Sequence, residues 1–247
     1  MALTKSQIDK ILKGIHSGSI DIDNIPNELS AFTYSELMTF VETGFGKLDT
    51  PFKSAKMDLY KGNISAFSGA KSFQEVKDLT LQTFNPDGSK RPFKEFKEFA
   101  KDINDKYNKA WLKTEQDTAF GVAQSADHWQ DFEADKELFP MLQYQTAGDE
   151  RVRSDHAGWD GITRPVDDSF WDTRMPPNDW NCRCSVIKLT EGTNSSLKGV
   201  PKNDSEQFSR NPGKEDFIYD EKKHPYFKHT KSEDKAFKKA VKWQSQE

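Results

Sequence analysis

Few residues in this chain are equipped for chemistry, and they are concentrated in one stretch. Cys182 and Cys184, separated only by Arg183, are its two cysteines, and five histidines accompany them. On a strand, positions i and i+2 point to one face, so both sulfurs could hold a single ion. They are badly spaced for a mutual disulfide, because the intervening chain is too short for relaxed geometry. A tetrahedral zinc site takes four ligands, and the thiolates supply two. Of His16, His128, His156, His224 and His229, the best placed are His156, in the same motif-dense stretch, and His224, in His224-Pro-Tyr-Phe. Cys182, Cys184, His156 and His224 together could therefore hold one zinc ion. The spacing matches no standard finger, and the alternative is two small thiols buried behind a strand.

The second candidate group is Asp149-Glu-Arg-Val-Arg-Ser-Asp-His, in which Arg151 and Arg153 share a side if the segment is extended. Beside Asp149, Asp155, Asp160 and Asp167 these arginines form ion pairs most simply, and Arg183 is a further ion-pair partner. With His156 they could instead grip and cleave a phosphodiester, which makes a nuclease the enzymatic alternative. Glycine-framed serine, phosphate-cradling glycine loop and His-Glu-x-x-His signatures are all missing, so no catalytic residue is expected on the main reading. From Lys222 to Lys242 the chain carries eight lysines against two acids. That is either a solvated face or a basic arm in which Lys222, Lys223, Lys228, Lys238 and Lys239 meet DNA, with Phe237 and Trp243 as apolar anchors.

These residues need elements to position them. Residues 1–138 read as mostly helical. Ile8, Ile11, Leu12 and Ile15 share a helical face, with Thr4 or Ser6 as its cap. A second helix is expected from Thr33 or Ser35 to the glycines at 44 and 46, and a third over 72–84, ended by Asn85-Pro-Asp-Gly. Over 92–136 one stripe runs from Phe93, Phe96, Phe99, Ala100, Ile103 and Tyr107 to Trp111, Leu112, Ala119, Val122, Ala123, Ala126 and Trp129. It predicts one long helix, or two with a break near Gly121. Alternation at Leu142, Tyr144 and Thr146 predicts a strand, as does 182–189, with a turn at Asp160-Gly161 between them. Residues 190–216 read as loop. The fold class is α+β: a helical N-terminal region over 1–138, a small loop-rich domain with a few short strands over 139–230, and a basic tail over 231–247.

Composition narrows the classes further. Of 247 residues, 34% are hydrophobic and 31% charged, and mean hydropathy is −0.87. No apolar run approaches the roughly 18 residues that a membrane helix needs, so no membrane partner is expected. An aromatic content of 12%, with 18 Phe and 6 Trp, supplies core material that disordered chains lack. A net charge of −4 means that any contact with nucleic acid needs a local basic patch. Met1-Ala-Leu-Thr-Lys-Ser-Gln-Ile has no basic start leading into an apolar core, so no secretory leader is expected, and two cysteines exclude a disulfide-stapled scaffold.

The order of residues from 144 to 184 closely resembles the phage Mu F-like family of minor head, or head-morphogenesis, proteins. The family pattern is a threonine, an aspartate, Arg-x-Arg, a histidine, Asp-Gly, Phe-Trp, Pro-Pro and a closing Cys-Arg-Cys. It falls here on Thr146, Asp149, Arg151, Arg153, His156, Asp160-Gly161, Phe170-Trp171, Pro176-Pro177 and Cys182-Arg183-Cys184. Phe208-Ser-Arg-Asn-Pro-Gly and His224-Pro-Tyr-Phe resemble the ending seen in many members. Trp159 and Ser154 stand where relatives often carry leucine and proline. The resemblance implies a structural protein of few copies in the head of a phage or prophage. Its implied partners are portal and capsid proteins, with double-stranded DNA as a further contact. The implied location is the capsid interior of the virion, reached from the bacterial cytoplasm during assembly.

Overall fold

In the computed structural model, which describes residues 3–246, Thr4 opens helix α1 (Lys5–Ser17) with a reciprocal cap. Its hydroxyl accepts from the Gln7 N–H, and its own N–H donates to Gln7 Oε1 at 2.9 Å. Ile11, Leu12 and Ile15 form the buried face, as their spacing predicts. Helix α2 spans Asn27–Phe45, starting earlier than Thr33, and α3 spans Pro51–Leu81, twenty-one residues ahead of the expected start at 72. The part of α3 before residue 72 is hard to read because Gly62 and Gly69 lower helix propensity and Asn63, Ser65, Ser68 and Lys71 occupy buried positions.

Helix α4 (Phe93–Asp105) buries Phe96 and Ala100, whereas Phe99, on the same predicted stripe, is 46% exposed beneath the Arg91 guanidinium. The long helical run then passes through a π turn at Lys106–Trp111 into α5 (Leu112–Ala134). The irregularity lies there and not at Gly121. A π turn admits one extra residue, which re-phases the apolar stripe without ending the helix.

Three short strands follow, β1 (Met141–Gln145), β2 (Thr163–Pro165) and β3 (Ser185–Leu189), in the antiparallel order β2-β1-β3. Gln143 is opposite Thr163 on one side and Ile187 on the other. Strand β2 has no alternation to announce it. Strand β3 starts at Ser185, so both cysteines precede it. Two single-turn helices, α6 (Ser154–Ala157) and α7 (Trp171–Arg174), interrupt the loops. The chain is mostly helical with one small sheet, an α+β fold.

The chain forms two units assembled from non-consecutive segments, so the boundaries expected at 138 and 230 do not separate them. The first comprises residues 1–39, 61–116 and 219–247. One of its cores packs Ile11, Leu12, Ile15 and Leu29 against Val76, Leu79, Phe96 and Ala100. Residues 231–247 are no free tail: helix α8 (Asp234–Val241) buries Ala236, Phe237 and Ala240 within this unit. The second unit, 40–60 and 117–218, holds the sheet and a core of Trp129, Phe132, Leu142, Tyr144, Trp159, Ile162, Val166, Phe170, Trp171 and Met175. Among the described residues no helix is long and apolar enough to cross a membrane.

Candidate functional site

The second unit gathers most of the motif residues around the end of β1. Strand β1 leads into Thr146, whose N–H and hydroxyl both donate to Asp160 Oδ1, at 2.7 and 2.9 Å. Gly161 follows with φ +72°, a left-handed conformation that favours glycine, which is why an Asp-Gly pair fits here. The Asp160–Thr146 bridge closes the loop that carries α6. On that helix His156 is buried, its ring stacked on Trp159 at 4.9 Å between centroids. Trp159 is itself wholly buried, and its indole N–H donates to the Pro201 carbonyl at 2.9 Å.

The cysteines reach the same place from the other side of the loop. A cis Pro176-Pro177 bond leads to Asn178, whose side-chain amide donates to the Tyr144 hydroxyl at 3.0 Å and the Arg174 carbonyl at 3.1 Å. Asn181 has φ +57°, and the turn closes with the Cys182 N–H donating to the Asp179 carbonyl. His156 Nδ1 then lies 3.6 Å from Cys184 Sγ and 3.9 Å from Cys182 Sγ. The three candidate ligand atoms are all within 4.8 Å of one another, and the thiols are half-buried. His156 Nε2 has no hydrogen-bond partner among the described residues.

These thiols titrate as a pair. The contact with Cys184 draws Cys182 down, His156 adding to the effect, while that contact and burial push Cys184 up. Burial also raises the Tyr144 phenol, so it stays protonated beside them.

His224 does not join this group. It belongs to the first unit, where Phe67 meets it edge-on at 4.9 Å and its Nδ1 accepts from the Tyr226 N–H at 3.2 Å. Burial, then the charge on Lys71, lowers it to about 3. Sequence spacing could not separate the two histidines, since each stands in a dense aromatic motif.

The arginines are in ion pairs. Arg183 clamps Asp149 with two contacts of 2.7 and 2.6 Å and holds its carboxyl well below the usual carboxylate range. Arg151 reaches the same carboxylate at 3.4 Å. Arg153 pairs with Asp179 at 2.9 Å and donates to the Trp180 carbonyl at 2.8 Å. Arg151, Arg153, His156, Cys182, Arg183 and Cys184 line one small cleft of about 10 Å³. A larger cleft of about 410 Å³ lies between one face of α5, at Gly121, Gln124 and His128, and the segment Met175–Pro177 with Cys182–Val186. Gly121, expected as a break, instead faces Pro177 in that cleft.

Of the lysines considered for DNA, Lys223 pairs with Asp220 at 3.3 Å and Lys238 with Asp234 at 2.8 Å. Lys239 donates to the Asp23 carbonyl at 2.7 Å. Lys228 follows the short 3₁₀ turn Pro225–Phe227 directly, and Lys222 lies three residues before it. Sequence reasoning missed Asn178 and Asn203. The Asn203 amide donates to the Asn178 side chain, the Thr173 carbonyl and the Phe208 carbonyl, which ties the 190–216 loop to the cysteine turn. The one signal for Asn178 was its place directly after Pro-Pro.

Residues 93–187 match the family described as Phage Mu protein F like protein. The match therefore starts inside the helical region, at α4, and ends in β3. The chain is 44% identical over 54 residues to the putative capsid assembly protein F of Escherichia phage Mu, which covers 22% of this chain and 12% of that protein. It is 35% identical over 80 residues to the Mu-like prophage FluMu F protein of Haemophilus influenzae, covering 32% and 18%. The aligned stretches thus span less than a fifth of either relative. No solved structure matches the chain.

Proposed function

Because residues 93–187 match the phage Mu F-like family, we propose that this chain is a minor head protein of a tailed phage or prophage. In this reading it sits inside the capsid beside the portal, in few copies, and assists head assembly. It acts first in the host cytoplasm, during assembly, and then in the virion. Its partners are portal and capsid proteins, with packaged DNA as a neighbour.

The observation that supports a scaffold is the use made of the family's polar residues. Thr146 with Asp160, Asp149 with Arg183 and Arg153 with Asp179 are all paired inside one unit, where they fix loops that have little regular structure. A phosphodiesterase would need Arg151, Arg153 and His156 to meet on one phosphate, and His156 is buried while the arginines are exposed. The cleft they line, about 10 Å³, has room for about one water molecule.

Deletion of the gene from its phage or prophage, with complementation in trans, tests the reading. The expected result is a loss of DNA-filled heads and infectious particles, restored by the complementing copy, with the protein found by mass spectrometry in purified virions. Normal yields of infectious particles without the gene would overturn it.

A further inference from the structure

The thiols and imidazole beside β1 are left unused by head assembly. We propose that Cys182, Cys184 and His156 bind one zinc ion through two Sγ atoms and Nδ1, with a water molecule as the fourth ligand. The inference does not rest on the head-assembly reading.

Geometry carries it. With Zn–S about 2.3 Å and Zn–N about 2.0 Å, tetrahedral angles set sulfur and nitrogen about 3.5 Å apart and two sulfurs about 3.8 Å apart. The nitrogen here lies 3.6 and 3.9 Å from the sulfurs, and all three atoms are within 4.8 Å of one another. Neutral thiols are weak donors and weak acceptors, so hydrogen bonding alone gives little reason for two of them to converge on one imidazole nitrogen.

The donors are also held in place before any ion arrives. Trp159 fixes the imidazole plane, the Asn181 turn directs Cys182, and the Asn178–Tyr144 contact anchors the segment before it. Such positioning by outer contacts is what a metal site needs. Binding displaces both thiol protons, and two thiolates then balance the charge of the ion. The cleft of about 10 Å³ that these three residues line leaves room for one small ligand. His224, paired with Tyr226 in the other unit, is not a ligand.

Zinc measured by elemental analysis of the untagged, reduced protein is the test. We expect about one ion per chain, and intense visible cobalt bands when Co²⁺ replaces it, as four-coordinate thiolate ligation requires. Cys182→Ser/Cys184→Ser should lose the ion, and His224→Ala should keep it. Should the serine variant fail to fold, the wild type decides alone: after chelator stripping, added zinc should protect both thiols from iodoacetamide. No zinc uptake by the reduced protein, unprotected thiols, or loss of the ion on His224→Ala would each overturn the proposal.

Discussion

At the scale of single residues, the most demanding environment is the buried polar network of the first unit. Lys71 is fully buried and pairs with Glu115, which also accepts from the Tyr226 hydroxyl at 2.8 Å. Nearby, Glu75 takes a hydrogen bond of 2.6 Å from Asn108, and burial raises its carboxyl to about 7. Glu75 and His224 then give opposite dependences on pH. Between about 3 and 6.5 the unfolded chain binds a proton at His224 that the folded chain does not, so stability falls as pH drops through that range. Between 4.5 and about 7 the folded chain holds a proton on Glu75 that the unfolded chain has released, so stability falls as pH rises. Each slope is at most about 1.4 kcal/mol per pH unit, and the two oppose each other where they overlap. Urea unfolding from pH 4.5 to 6.5 should show a rising midpoint for Glu75→Gln and a falling one for His224→Asn. Parallel profiles in the two variants would contradict these environments.

At the scale of elements, α8 shows how a lysine-rich segment becomes structure. It packs on α3 through the T-shaped Phe73–Phe237 contact, and just beyond it the Trp243 indole donates to the Ser65 carbonyl at 3.0 Å. Gly69 permits the approach, since a Cβ there would strike the backbone of Ala240. Nothing lies near Gly62 on the same helix. Gly69→Val should therefore cost about 1–3 kcal/mol through overpacking, whereas Gly62→Ala should stabilise by up to about 1 kcal/mol through helix propensity. Thermal melts give the two signs, and limited proteolysis of Gly69→Val should release the C-terminal segment first. Equal responses at the two glycines would show that α8 does not pack against Gly69.

At the scale of the whole molecule, each unit is closed by chain segments distant in sequence, so truncation at 138 or 230 would remove parts of a core rather than a domain. Charge at this scale also bears on the proposed contact with DNA. The net charge is −4, and Lys223, Lys238 and Lys239 already have protein partners, so any DNA binding should be weak and confined to low salt. Changing Lys222, Lys223, Lys228, Lys238 and Lys239 together to alanine should lower affinity for duplex DNA at low salt and flatten its dependence on salt. Gel-shift titrations measure both, and unchanged binding would place the DNA contact elsewhere on the surface.

The sequence by itself determined what depends on near neighbours along the chain. The capped α1, the stripes of α4 and α5, strand β1 and the Asp160-Gly161 turn follow from spacing and local propensity, and the motif from 144 to 184 is read by its resemblance to a family. Tertiary structure decided which distant residues meet. His156 rather than His224 faces the cysteines because the segment carrying His224 folds into the first unit. Nothing along the chain marks Lys71 and Glu115 as a core pair; the burial of both around two tyrosines makes them one. Local pattern reports which face of an element is apolar. Which polar side chains share one interior, and so set one another's charge and chemistry, depends on packing between elements far apart in sequence.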